Sequence, residues 1–390
     1  MKNYRFLFVF NRFRPAISGS EIHMHQIADS LIKRGHSVDV FTLNVLSNED
    51  YIRSRGPLPA RDNIGGINVR RFNVTALPLH NRVNEFLEQH SILPYMTGYR
   101  RVYSIPMTAA LRNVKYDCII GGVMPFAGVI YPALKRANRS DAKSGIIPLI
   151  HLGVPHDSRY RYEYFSKQCL ALYKTADLII VNAEIETKFL RDNGYTGDII
   201  RINPVIENQE TVKRQLDTFN VCSLGFANYE KGVDHSLKAF ELFSRDKSDV
   251  RFIVAGTVHK SYRENVSGSD KIIYRGMIAE ESKKQFFSDC DVYMQPSMAE
   301  SFGIATLEAH SAGIPSINAY CSGSMEIINH GENGFLVPFG DYKMTAEYLN
   351  KLYNDVTLRK SMGEKAKEMS SKYGYNNHIE GIEKLEESLQ

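Results

Sequence analysis

Two glutamates eight positions apart, Glu300 and Glu308, bracket the run Ser301-Phe302-Gly303-Ile304-Ala305-Thr306-Leu307. Gly303 lets a backbone approach a ligand closely, and the amides that open the following helix point toward an anion. Glu308 falls more than one turn inside that helix, where its carboxylate can accept hydrogen bonds from the vicinal hydroxyls of a ribose. Glu300, before the turn, can reach the hydroxyls of a sugar. A pyrophosphate flanked by two sugars needs such a set, with a positive dipole in the middle and carboxylate acceptors at the ends. A helix with an acidic start carries the same residue types, so this stretch alone leaves both readings open.

The elements that must position these residues are legible from periodicity. Arg5–Phe10 is a short apolar run that suits a buried strand. Asn11–Ser20, with Pro15 and Gly19, reads as a loop. Glu21–Arg34 has Ile22, Ile27, Leu31 and Ile32 at helical spacing, and Gly35 ends it as a C-cap glycine would. Ser37–Leu43 is a second strand, so the opening is a βαβ unit with a right-handed crossover. The pattern recurs in strands at Cys118–Ile120, Ile146–Ile150 and Leu178–Val181. A polar interval around Ile206–Gln215 reads as a linker.

The second half alternates again. Strands are expected at Asn220–Leu224, Val250–Ala255, Ile272–Tyr274, Val292–Met294, Pro315–Ala319 and Gly334–Val337. Helices are expected at Val233–Phe243, Glu280–Phe287, Gly303–Ala312 and 342–370, with an amphipathic helix at Asn376–Ser388. The fold class is therefore α/β, two doubly wound parallel-sheet domains in tandem. Their expected bounds are 1–205 and 206–372, followed by a C-terminal helical segment, 373–390.

Bulk properties agree. A chain of 390 residues, 43% hydrophobic and 24% charged, is long enough for two cored domains. The net charge of +4 hides a split: residues 1–205 hold 27 Lys+Arg against 17 Asp+Glu, and residues 206–390 hold 21 against 27. A basic first half suits an anionic acceptor, a membrane surface or nucleic acid, or is simply a solvated surface. Tyr95–Arg101, with Tyr99, Arg100, Arg101 and nearby Tyr103, mixes aromatics and cations as an interfacial or anion-binding segment would; snorkelling arginines on an ordinary helix give the same pattern.

Other chemistries are disfavoured. The five cysteines (118, 169, 222, 290, 321) are scattered and never form a CxxC pair, which argues against a disulfide framework or zinc site. Asp289-Cys290-Asp291 matches an Asp-x-Asp metal pattern but sits at a helix-to-strand junction. His23 and His25 are two apart on a helix and do not share a face. No metal is expected. There is no signal-peptide core and no run of ~18 apolar residues. The expected location is therefore the cytoplasm, with room for peripheral membrane contact, and the Asn-x-Ser/Thr matches at Asn73, Asn138 and Asn265 carry no meaning.

The Glu-x7-Glu stretch with its internal Phe-Gly resembles the signature of retaining GT-B glycosyltransferases of family 4 (glycosyltransferase group 1), relatives of phosphatidylinositol mannosyltransferases, sucrose-phosphate synthases and glycogen synthases. Its surroundings are similar too: Asp291-Val-Tyr-Met-Gln-Pro296-Ser297 before it, Ala309-His-Ser-Ala-Gly313-Ile-Pro315 after it, then Gly331-Glu-Asn-Gly334-Phe-Leu-Val. In the first half, Pro15-Ala-Ile-Ser18-Gly19-Ser20-Glu21 resembles the family's glycine loop, with Ser18 in place of the first glycine. His151-Leu152-Gly153 resembles its active-site His-Gly. Gly225-Phe226-Ala-Asn-Tyr-Glu-Lys231-Gly232 resembles its cationic loop, with Lys231 present and Phe226 where an arginine usually stands.

The resemblance implies a GT-B fold, with the C-terminal helix packing back on the N-terminal domain. It implies transfer of a sugar, with retention, from a nucleoside-diphosphate sugar to a glycan, lipid-linked or small-molecule acceptor. The donor would sit against the second domain and the acceptor against the first. Catalytic roles fall to Glu300, His151 and Lys231. Donor contacts fall to Gly19, Phe302, Gly303, Ile304 and Glu308. The sugar nucleotide is then the co-substrate, with no cofactor, no metal and no nucleic-acid partner. Phe226 and Ser18 motivate two rivals: a non-catalytic nucleotide-sugar or glycan-binding relative, and a GT-B sugar-nucleotide epimerase.

Overall fold

The computed structural model describes residues 2–47, 50–51, 55–75, 102–152, 164–165, 167–206, 217–259, 262 and 269–390. These fall into two compact units. One takes Met1–Ile150, Ser158–Pro204 and Asn376–Gln390; the other takes His151–Asp157 and Val205–Tyr375, in each case over the described residues. The expected linker and the Tyr95–Arg101 segment lie largely outside the described residues, as does Gly153.

The first unit is built on strands β1 (Arg5–Phe10), β2 (Ser37–Leu43), β3 (Arg61–Ile64), β4 (Ile67–Phe72), β5 (Cys118–Gly122), β6 (Lys143–Ile147), β7 (Leu178–Val181) and β8 (Asp198–Arg201). Their order in the sheet is β3-β4-β2-β1-β5-β6-β7-β8. Phe6 to Phe10 are all fully buried, because β1 lies inside a sheet covered on both faces. All pairings are parallel except that of β3 with β4, an antiparallel hairpin at the edge.

The second unit has β9 (Phe219–Leu224), β10 (Val250–Ala255), β11 (Ile272–Gly276), β12 (Val292–Gln295), β13 (Ser316–Ala319) and β14 (Gly334–Val337). They run parallel in the order β11-β10-β9-β12-β13-β14. The reversal of order between β9 and β12 is where such sheets bind ligands, outside the carboxyl ends of the strands.

The hairpin β3–β4 escaped the sequence reading, although Gly65-Gly66 between two short runs is a hairpin signal. The strand expected over Ile146–Ile150 instead ends at Ile147: Pro148 follows, and Leu149 turns to φ 50°, a conformation no strand accommodates. The helical stretch expected over 342–370 comprises two helices, Tyr342–Asn354 and Val356–Ser371, divided at Asp355, whose carboxylate caps the second through the Leu358 amide at 2.8 Å.

The C-terminal helix, Tyr375–Glu387, packs within the first unit. Its Glu386 takes both guanidinium nitrogens Nε and Nη2 of Arg34, at 2.7 and 2.8 Å, and His36 Nε2 at 2.8 Å. Those partners hold the Glu386 carboxyl below its usual range. Gly381 is required there, since a Cβ would come within 2.4 Å of the Arg201 carbonyl.

Candidate functional site

The loop after β9 runs from Gly225 to Gly232. Lys231 donates its amide to Asn228 Oδ1 at 2.9 Å, and Gly232, at φ 72°, starts the helix Val233–Phe243. A Cβ on Gly232 would come within 2.2 Å of the Pro296 carbonyl, so only glycine lets this loop lie against the segment after β12. Met298 donates to the Glu230 carbonyl at 2.8 Å and ties the two segments together.

That contact brings Lys231 onto Glu300. Its Nζ lies 2.5 Å from Glu300 Oε1, which also accepts from Ser297 Oγ at 3.1 Å. The Glu300 carbonyl accepts from the Gly323 amide at 3.0 Å and from Ser322 Oγ at 2.9 Å. Gly323 sits so close that a Cβ would meet Phe302 N at 2.7 Å and Glu300 Cβ at 2.9 Å. Backbone and side chain of Glu300 are thus both held.

His151 belongs to the same unit and feels both charges. Its pKa falls to about 4, first through burial and then through Lys231, against a smaller pull from Glu300. At neutral pH it is an uncharged imidazole, able to donate or accept a hydrogen bond.

The chain then turns at Gly303, φ 96°, into the helix Ile304–Ser311. The first intrahelical bond runs from the Leu307 amide to the Gly303 carbonyl at 3.1 Å. The amides of Ile304, Ala305 and Thr306 precede it and form the donor end of the helix. Gly303, Ile304 and Ala305 are partly exposed, whereas Thr306 to Ser311 are buried. An anion can therefore reach the first turn.

Phe302 lies within the second unit. Its ring is 2% exposed and packs edge-on against Tyr373 at 5.2 Å, so the side chain is committed to the core. Only its backbone is left for a donor. Gly19 lies in the first unit, where it opens the helix Gly19–Lys33. Beside it Ser18 Oγ hydrogen-bonds Glu21, whose carboxylate also pairs with Arg12 at 2.8 Å.

Lys283 and Glu186 were not singled out in the sequence. Lys283 Nζ pairs with Glu308 Oε1 at 2.7 Å. Phe226, at the arginine position, is 41% exposed, with its ring 6.4 Å from that of His259. Glu186, fully buried, accepts from the amides of Ile150 and Asn182 at 2.7 Å each and from Ala183 at 3.2 Å. It caps the helix Glu184–Asp192 and at the same time fixes the peptide that leads into His151.

The Asp289-Cys290-Asp291 stretch is structural. Asp291 accepts from the Asn220 amide at 2.9 Å, and the Asp289 carbonyl accepts from Asn220 Nδ2 at 2.8 Å, at the start of β9 and away from the site. Among the described residues, no group of three or more His, Cys, Asp or Glu is disposed to hold a metal ion, and no helix is long and apolar enough to cross a membrane.

Residues 206–369 match the glycosyl transferases group 1 family. Over 385 residues the chain is 24% identical to a glycosyltransferase of Methanocaldococcus jannaschii, covering 93% of this chain and 92% of that one. The protein is a glycosyltransferase, and its second half carries the group 1 match. Its fold is GT-B. Sucrose-phosphate synthase of Thermosynechococcus elongatus superposes on the glycosyltransferase with a TM-score of 0.72 at 18% identity, over 100% of this chain and 99% of that one. Anabaena HepE, solved with UDP and glucose, superposes with a TM-score of 0.72 at 17% identity, over 99% of each chain.

Proposed function

We propose that this glycosyltransferase moves a sugar from a nucleoside-diphosphate sugar to a glycan, lipid-linked or small-molecule hydroxyl, retaining the anomeric configuration and using no metal. The observation that carries this reading is the convergence of Lys231, Glu300 and His151 next to the open first turn of the helix Ile304–Ser311. The UDP and glucose held by Anabaena HepE, a fold relative, accord with a sugar-nucleotide donor.

Each group then has a task. The helix amides and the Lys231 ammonium stabilise the diphosphate as it leaves, which is electrostatic catalysis by groups already oriented. Lys231 exchanges part of its contact with Glu300 for phosphate oxygen, and Glu300 turns that acceptor capacity toward the donor sugar's hydroxyls. Neutral His151 hydrogen-bonds the sugar near the reacting carbon. Glu308 accepts from the ribose. The positive charge comes from the protein, so the reaction is expected to proceed in EDTA. The basic first half favours an anionic or lipid-linked acceptor.

Thermal unfolding of the purified protein with UDP-, GDP- and ADP-sugars in EDTA tests the reading. One donor class should raise Tm, because a ligand at 100 times its Kd stabilises by about 2.7 kcal/mol. Transfer assays with that donor should yield a product of the donor's own anomeric configuration. Binding without transfer or donor hydrolysis across a broad acceptor panel would instead favour the non-catalytic reading, for which Phe226 at the arginine position is the specific motive.

A further inference from the structure

Lys283 opens the helix Lys283–Ser288, after a short 3-10 turn, Glu280–Ser282, that follows β11. Its side chain is 11% exposed, and its Nζ lies 2.7 Å from Glu308 Oε1 and 2.9 Å from Glu280 Oε1. A lysine so withdrawn from water is costly unless paired. Here the two carboxylates more than offset the burial, and the ammonium is held charged. Stability alone is a weak reason for such a pair, since apolar residues in place of both partners are often as stable.

The chemistry of a ribose supplies a reason. Each hydroxyl of a vicinal diol both donates and accepts, whereas a carboxylate only accepts. A carboxylate with an ammonium fixed against one of its oxygens presents both functions side by side. An ammonium has three donors, and the two carboxylates occupy two of them. The same ammonium offsets part of the negative charge that Glu308 and Glu280 would otherwise present to an anionic nucleoside diphosphate.

We infer that Lys283 is a specificity residue of the donor site: it holds Glu308 in one orientation and donates to a ribose hydroxyl, so that the pair selects ribonucleotides over 2′-deoxyribonucleotides. This rests on the proposed donor site. Sequence spacing hides the pairing, because Lys283 and Glu308 are 25 residues apart and come from helices that follow different strands.

The test is isothermal titration of UDP, GDP, ADP and their 2′-deoxy counterparts into the whole chain, as wild type and as Lys283→Met, Lys283→Arg and Glu308→Gln. A site built to hydrogen-bond a hydroxyl discriminates strongly against the analogue that lacks it. The wild type should prefer one ribonucleotide over its deoxy form by about tenfold or more. Lys283→Met should lose most of that preference through weaker ribonucleotide binding, and Lys283→Arg should restore part of it. Lys283→Gln, which keeps a donor without the charge, replaces Lys283→Met if the latter fails to fold. A wild-type preference that survives in Lys283→Met or Lys283→Gln overturns the role of Lys283 while leaving the donor site standing. Wild type that binds none of the nucleotides overturns the donor site itself, and the inference with it.

Discussion

Lys231 and Glu300, 69 residues apart in sequence, form an ion pair whose side chains are 29% and 13% exposed. The pair joins the loop after β9 to the segment after β12, the two strands between which the order of the sheet reverses. In the proposed reaction this cation neutralises the leaving diphosphate, and its pairing with Glu300 holds it in place beforehand. Glu300 in turn is fixed through its backbone carbonyl by Ser322 and Gly323.

The first prediction concerns this pair. Lys231→Ala and Glu300→Ala should each lower kcat/KM for sugar transfer by roughly tenfold or more, since each removes a group argued to act in the transition state. The fold should survive, because the pair lies at the strand ends and not in the apolar core. Steady-state kinetics with circular dichroism on the same samples check both halves. Wild-type rates in both variants would sink the site assignment.

A second prediction follows from His151. Its pKa is pushed down to about 4 by burial and by Lys231, and pulled up by Glu300. In a proton-NMR titration its ring signals should stay constant from pH 8 to about pH 5. Lys231→Ala removes a repelling cation and should raise the midpoint, whereas Glu300→Gln should lower it. A midpoint near 6.5 in the wild type would show the imidazole to be solvated and not held neutral.

How much of this could be read from the sequence depended on whether partners are close along the chain. Glu300, Gly303 and Glu308 share one turn and helix, so their spacing shows them. Lys283 sits in Glu280-Glu281-Ser282-Lys283-Lys284, a run that reads as the solvated start of a helix, and only tertiary packing turns it toward Glu308. Glu186 looks like an ordinary capping residue, and its bond to the Ile150 amide, 36 positions away, leaves no local signal. Phe302 was read from its place in the motif, whereas its side chain was claimed by Tyr373. The apolar run through Ile150 concealed the end of β6, because Leu149 and Ile150 are as buried as a strand without being one.

Glu186 gives the third prediction. Its carboxylate holds the Ile150 amide directly after Leu149, whose φ of 50° is a strained conformation for a leucine. Relaxation of that turn would move His151, the next residue. Glu186→Gln keeps the shape and removes an ionised acceptor from three buried amides, a loss of about 1–3 kcal/mol. Transfer should fall mainly in kcat, with KM for the donor little changed, because the donor contacts proposed for Glu300 and Glu308 remain. Equal loss in KM alone would show that the turn serves donor binding and not His151.

The last prediction is a dependence of stability on pH. His23, His235 and His310 are buried, with pKa values near 3, 4 and 3, each lowered chiefly by burial. His235 is tied by Thr345 Oγ1 at 2.8 Å and by the Gly340 amide at 3.0 Å, and His310 by Ser316 Oγ at 2.8 Å, so these rings serve the core. Unfolded, each would titrate near 6.5. Between pH 6.5 and about pH 4 the unfolded chain therefore binds protons that the native state refuses. The stability is fully present above pH 6.5 and drains away as pH falls, by about 1.4 kcal/mol per pH unit for each fully titrating histidine. Urea unfolding at pH 7.5, 6.0 and 5.0 should show a falling midpoint, steepest below pH 6. His310→Gln, which cannot take up a proton, should flatten the slope while lowering stability at pH 7.5. A midpoint independent of pH over this range would mean that these rings are not held neutral in the native state.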